Sequence, residues 1–219
     1  MGSGGFPIDL VLFGMIAAFL VLRLRSILGK RTGFEPSQGA GRPAPRPTGP
    51  VIEAVAEAPS MPARKVPDPA GQVGQALMRM TRIDKDFTPE RFLGGAEAAF
   101  VLIVGKFAAG DRDALRPLLS PDTFATFDAA IAAREAAGET QTTEVRGIQA
   151  ATIEGASLTG TYAEITVRFV SDQVNQTLDR EGRHVSGTDA VTELRDEWLF
   201  GRDLSTRDPT WRLLQARSA

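Results

Sequence analysis

The sequence predicts a segregated α+β domain carried behind an apolar N-terminal helix and a proline-rich linker. Three observations predict it. An uncharged apolar run fills Leu10 to Leu22, nine of the fourteen prolines fall between residues 33 and 69, and helical periodicity gives way to period-two alternation after Gly138.

The apolar run, LVLFGMIAAFLVL, comes first in the chain. As a helix at 1.5 Å per residue it spans about 20 Å, short against a hydrocarbon core of about 30 Å. Extension to Leu28 supplies the missing length and takes in Arg23 and Arg25, whose stems can snorkel toward head groups. Residues 1–29 therefore read as a membrane anchor. Leu10, Leu12, Phe13, Ile16, Phe19, Leu20 and Leu22 face the lipid tails, and Arg23, Arg25, Lys30 and Arg31 meet the head groups. Three other readings fit less well. A cleaved secretory signal wants a basic residue before the run and a small-residue cleavage pair after it, and neither is present. A core helix would be followed at once by a polar, proline-rich stretch. N-myristoylation wants Ser or Thr where Phe6 stands. The nearby positive charges all follow the run, which predicts a single pass with the remaining chain in the cytoplasm.

Residues 30–70 read as a disordered linker. Phe34 is the lone aromatic between residues 33 and 69, so little apolar area is available to offset ordering. The PAPRP stretch at residues 43–47 is extended and stiff, a spacer.

Residues 71–219 read as the folded domain. Gln72 to Lys85 is helical, with Leu77, Met80 and Ile83 inward. Phe87-Thr88-Pro89 is a start signal in which Thr88 caps, Pro89 opens the helix and Phe87 staples onto Phe92. Phe92, Ala96, Ala99, Phe100, Ile103 and Phe107 then share one face. Gly110 stops this helix, and Asp111 caps a short one carrying Leu115 and Leu118. Ser120-Pro121 starts another, with Phe124, Phe127 and Ile131 inward and Gly138 as its stop. Ala163, Ile165, Val167 and Phe169 alternate with Glu164, Thr166 and Arg168, a half-buried strand. Asp179 to Gly182 is a turn. Leu194, Asp196, Trp198, Phe200 and Arg202 share one face of the next strand, and Trp211 and Leu213 one side of the last. A curved sheet wrapped around the long helix buries Phe100 and Trp198 together.

The charge balance excludes some partners. From residue 71 onward there are 17 basic and 22 acidic side chains, so the body is acidic while the neck is basic. A nucleic-acid binder would want the basic face on the folded domain, and none is expected here. There is no cysteine, which removes disulfides and cysteine-metal sites.

The neck LRLRSILGKRTG (22–33), the segment FTPERFLGGAEAAFVLIVGKFAAGD (87–111) and the tail DEWLFGRDLSTRDPTWRLLQA (196–216) resemble the mitochondrial inner-membrane translocase subunit 44 family, in its alphaproteobacterial branch. The tail pattern of Asp196, Trp198, Phe200, Arg202, Asp208-Pro209 and Trp211 carries most of the resemblance. It implies a cone like that of nuclear transport factor 2, an apolar pocket, and contact with anionic lipid such as cardiolipin. It also implies an adaptor at the bacterial inner membrane with protein partners from translocation or envelope assembly. The mitochondrial members recruit a heat-shock chaperone through a long helical N-terminal region. Here an anchor and linker stand in its place, so the adaptor role carries over, while a chaperone stays among the implied partners without the region that recruits it.

No enzyme, cofactor or metal site is expected. His184 is the lone histidine and lies beside a polar turn, and no glycine loop cradles phosphate ahead of a helix. Cone folds include isomerases that set a pocket carboxylate beside a tyrosine. Here Asp196 shares a face with Trp198, while Tyr162 alternates with the outward Glu164 and Arg168. Asp196 is instead expected to pair with Arg202 or Arg146. Phe92, Phe100, Phe127, Asp196, Trp198, Phe200 and Trp211 are the pocket or core candidates. An acyl chain or a partner's apolar segment would use the same side chains as a core would.

Overall fold

The computed structural model describes residues 62–218. The anchor residues Leu10 to Leu22, the cations Arg23, Arg25, Lys30 and Arg31, and residues 30–61 of the linker lie outside the described residues. The elements run β1 (Ala63–Lys65), α1 (Gln72–Ile83), α2 (Pro89–Ala109), α3 (Arg112–Leu115), α4 (Pro121–Ala137), β2 (Thr140–Thr159), β3 (Tyr162–Leu178), β4 (His184–Asp203) and β5 (Arg212–Ser218).

The helix boundaries follow from local chemistry. Thr88 caps α2 by accepting the Arg91 N–H at 3.2 Å, Asp111 caps α3 through Ala114 at 3.1 Å, and Ser120 caps α4 through Thr123 at 3.2 Å. Pro89 and Pro121 open α2 and α4, where a missing N–H costs nothing. Gly110 and Gly138 close the same two helices at φ 71°, a left-handed conformation that a side chain resists. Gly138 has a second constraint, because Arg180 crosses so closely that a Cβ would collide with it. The staple is in place, with Phe87 and Phe92 ring centroids 6.3 Å apart.

The strands form one sheet in the order β1-β2-β3-β4-β5. β2 to β5 are an antiparallel meander, and β1 adds in parallel at the edge, pairing Ala63–Lys65 with Ala150–Thr152. β2 carries three register shifts against β3, near Gly147, between Ile148 and Ala150, and near Gly155. Each bulge adds one residue and bends the strand. The bends keep Ile148, Ala151, Ile153, Ala156 and Leu158 aligned with the inward residues Ser171, Phe169, Val167, Ile165 and Ala163 of β3. The helices pack against that inner face.

The core is aromatic at its centre. Phe100 of α2 lies 4.6 Å from Phe169 and 4.7 Å from Trp198, and all three are buried. Full burial of such rings contributes about 2–3 kcal/mol each. α2 is long and apolar enough to cross a membrane, but Phe92, Leu93, Ala96, Phe100 and Ile103 bury one face of it in this core.

Two expectations change. Ile83 is 40% exposed rather than inward, because α1 ends there and Asp84 turns away in an extended conformation. The folded region also begins before residue 71. Within the stretch read as linker, β1 joins the sheet, and Arg64 donates to both carboxylate oxygens of Glu97 at 2.9 and 2.7 Å. Glu97 is nearly buried on α2, and a buried carboxylate needs such a partner. The raised basicity of Arg64 follows from the hydrogen bonds and charge of Glu97.

Candidate binding cleft

The first turns of α2, the connection from α1, Leu118 after α3, and the β4–β5 connection leave an open cleft of about 670 Å³. That volume lies within the roughly 300–1,000 Å³ typical of ligand sites. Its floor is aromatic. Phe92 stands 4.8 Å from Trp211 and 5.9 Å from Phe200, both edge-on, and Phe87 stands 5.8 Å from Trp211. Such pairs hold their rings in place by edge-to-face attraction as well as by burial. Ala96, Ala99 and Leu118 extend the apolar wall, and Gly95 leaves it open, since a Cβ there would meet nothing within 4 Å.

One ion pair ties the cleft together. Arg202 of β4 donates to Asp84 at 2.9 Å and, through Nε, to the Asp208 carbonyl at 2.9 Å. Both side chains of the Arg202–Asp84 pair are largely shielded, so the pair fixes the α1–α2 connection against the end of the sheet. Lys85, Arg91 and Arg207 stand around the rim with Asp86. Arg91 donates to the Asp86 carbonyl at 3.1 Å.

The sequence-predicted candidates separate into groups. Phe92, Phe200 and Trp211 line the cleft. Phe100 and Trp198 lie in the sealed core behind it, and Phe200 joins the two regions, 6.0 Å from Trp198. Phe127 belongs to neither, and pairs with Phe107 at 4.9 Å near the far end of α2. Asp196 lies on the inner face in register with Phe169, away from the cleft. Its expected arginine partners are engaged elsewhere: Arg202 holds Asp84, and Arg146 pairs with Glu144 at 2.8 Å. Arg146 is the extra residue of the first bulge, and its side chain is about half exposed. Without a cation beside it, Asp196 is pushed up to about 6 by burial.

The carboxylate and the tyrosine are not brought together. Tyr162 precedes the inward Ala163 and is exposed on the opposite face of the sheet from Asp196. His184 is exposed near the hairpin turn, 3.3 Å from Gln176. Among the described residues no group of His, Asp and Glu is placed to hold a metal ion.

The rim cations and the Arg202–Asp84 pair are functional candidates that sequence reasoning missed. The inward alternation of Arg202 with Trp198 and Phe200 signals a cation that needs a partner. That partner is 118 residues away, beyond any local pattern. Arg207 sits in a polar loop with no periodicity to mark it.

Comparison with known proteins agrees with the motif resemblance. The intermembrane-space region of the chloroplast protein ARC6 is similar at a TM-score of 0.43 and 10% identity, over 57% of this chain and 95% of that one. A conserved protein from Planctomyces limnophilus DSM 3776 is similar at a TM-score of 0.31 and 16% identity, over 57% and 94%. These are loose likenesses. No curated protein matches the chain. The model of the family described as Tim44-like domain matches residues 73–218, from within α1 to the end of β5. The core and the cleft therefore both fall inside the matched span, and the chain belongs to the Tim44-like domain family, with its α+β, nuclear-transport-factor-2-like fold.

Proposed function

We propose that this chain is a membrane-tethered adaptor whose cleft holds an apolar segment of a protein partner at a bacterial inner membrane. Residues 1–29 anchor it, the proline-rich stretch is its leash, and the domain works on the cytoplasmic side. The observation that carries the reading is the open cleft floored by Phe92, Phe200 and Trp211. Trp211 is the partly exposed ring of that floor, held by the buried Phe87, Phe92 and Phe200 beneath it, and a fixed ring suits an apolar guest because little side-chain freedom is lost on binding. Binding rather than catalysis is supported by the opposite-facing placement of Asp196 and Tyr162.

Site-specific photocrosslinking tests it. A benzophenone amino acid at Gly95, where a side chain meets no obstruction, samples the cleft in native membranes. The same probe at Tyr162, on the outer sheet face, is the control. A discrete protein adduct from position 95 and none from position 162 is expected. A lipid adduct alone would assign the cleft to an acyl chain, and no adduct would end the adaptor reading. Deleting residues 1–29 should release the protein into the soluble fraction. Persistence in salt-washed membranes would mean another tether.

A further inference from the structure

We infer that the partner segment is acidic as well as apolar, an amphipathic stretch whose carboxylates meet Lys85, Arg91 and Arg207. The inference rests on the cleft being the partner site. The folded body carries an acidic excess, 22 acidic to 17 basic side chains from residue 71 onward, yet the rim of the cleft reverses that sign. Among the described residues, none of the three cations makes a salt bridge. Asp84 is already taken by Arg202, which leaves Asp86 as the one opposing rim carboxylate.

The cations come from separate elements. Lys85 precedes α2, Arg91 lies in its first turns, and Arg207 comes from the β4–β5 connection, with the aromatic floor also contributing to the same cleft. Three cations from separate elements beside an aromatic floor match a peptide that carries carboxylates and large apolar side chains together. The chain's own anchor neck is basic at Arg23, Arg25, Lys30 and Arg31, so like charge turns it away. The neck is thus a poor guest, and the guest assigned here is a segment of another protein.

The test uses the full chain in neutral phosphatidylcholine nanodiscs and fluorescence anisotropy. The probe is a labelled amphipathic helix of roughly twenty residues, with Leu and Phe at i, i+3, i+4 and i+7 and Glu on the polar face. Its counterpart carries Lys for every Glu. The Glu peptide should bind about tenfold tighter, and the gap should shrink with added salt. The neutral triple variant K85Q/R91Q/R207Q should close the gap, and K85E/R91E/R207E should reverse it. Equal binding of the two peptides, or a gap unchanged in both variants, would overturn the inference. Binding of neither peptide would overturn it too, while a protein adduct from position 95 would leave the adaptor reading standing. If the variants lost affinity for phosphatidylglycerol nanodiscs and kept it for the Glu peptide, the cations would belong to the membrane and the inference would fail. Val51 to Ala58, with Glu53 and Glu57, has similar chemistry within the chain. A tenfold gain in peptide affinity on deleting residues 51–58 would give the cleft to that segment and overturn the reading in favour of a separate partner.

Discussion

Two aromatic clusters of similar composition sit side by side in this domain and differ in how far they are closed over. Phe100, Phe169 and Trp198 are sealed between α2 and the sheet, each no more than 4% exposed. Phe87, Phe92 and Trp211 stand at the end of the same stack, and Trp211 is partly exposed to the cleft. Phe200 touches both clusters. The difference lies in what covers them. The sheet and a full helix face close over the first. The second is closed over Phe87 and Phe92, which are nearly as buried as Trp198, and left partly open only at Trp211. Side-chain chemistry alone therefore does not separate a core from a binding wall.

Truncation should expose that contrast most strongly in the core. Phe100→Ala is expected to cost about 3–5 kcal/mol, the usual range for a buried phenylalanine, measured by urea unfolding. A loss under about 1 kcal/mol would mean that the first cluster is not the packing centre.

Asp196 tests how dry the sealed side is. Its folded-state pKa, about 6, lies above the ordinary carboxylate value. The protonated form is therefore favoured by folding. The stability it contributes is present below about pH 4 and is lost as pH rises through about 6. Asp196→Asn should leave stability unchanged at pH 4 and raise it at pH 7.5, by on the order of 2 kcal/mol. Parallel pH profiles for the variant and the parent would mean that water reaches the carboxylate freely.

Trp211→Ala should cost less stability, about 1–2 kcal/mol for a half-buried ring, yet remove the protein adduct from position 95. Retention of the adduct would move the partner off the aromatic floor. Arg207→Glu should change stability least, within about 0.5 kcal/mol. Its effect should appear instead in preference for the Glu peptide, and a shift in melting without a shift in preference would count against the rim.

Legibility in the sequence follows how local the signal is. Thr88-Pro89, Ser120-Pro121, Gly110 and Gly138 mark helix ends by chemistry within a few residues, and each boundary appears where expected. The strand from Tyr162 to Leu178 alternates cleanly from Ala163 to Phe169 and is equally plain. β2 is harder to see. Its inward residues Val145, Ile148, Ala151, Ile153 and Ala156 step by three or two because bulges interrupt the ladder, so no single period describes it. β1 is three residues long in a proline-rich stretch, and it is held by the non-local contacts of Arg64 with Glu97. Alternation puts Asp196 on the inner face, where it lies opposite Phe169, but its solitude depends on where Arg202 and Arg146 find other partners. The cleft was out of reach for the same reason. Alternation and helix spacing group Phe92, Phe200 and Trp211, but which of them stays partly open depends on connections between elements.

The chain holds two tryptophans, one in each aromatic cluster, and that permits the most direct test. Trp198→Phe leaves Trp211 as the sole indole, and Trp211→Phe leaves Trp198. Each full-length protein is titrated with the Glu peptide while indole emission and acrylamide quenching are followed. The emission of Trp211 should shift to the blue and its quenching should fall as the guest excludes water, while Trp198 should not respond. A response from Trp198 with Trp211 silent would place the guest in the core and contradict the division between sealed core and working cleft.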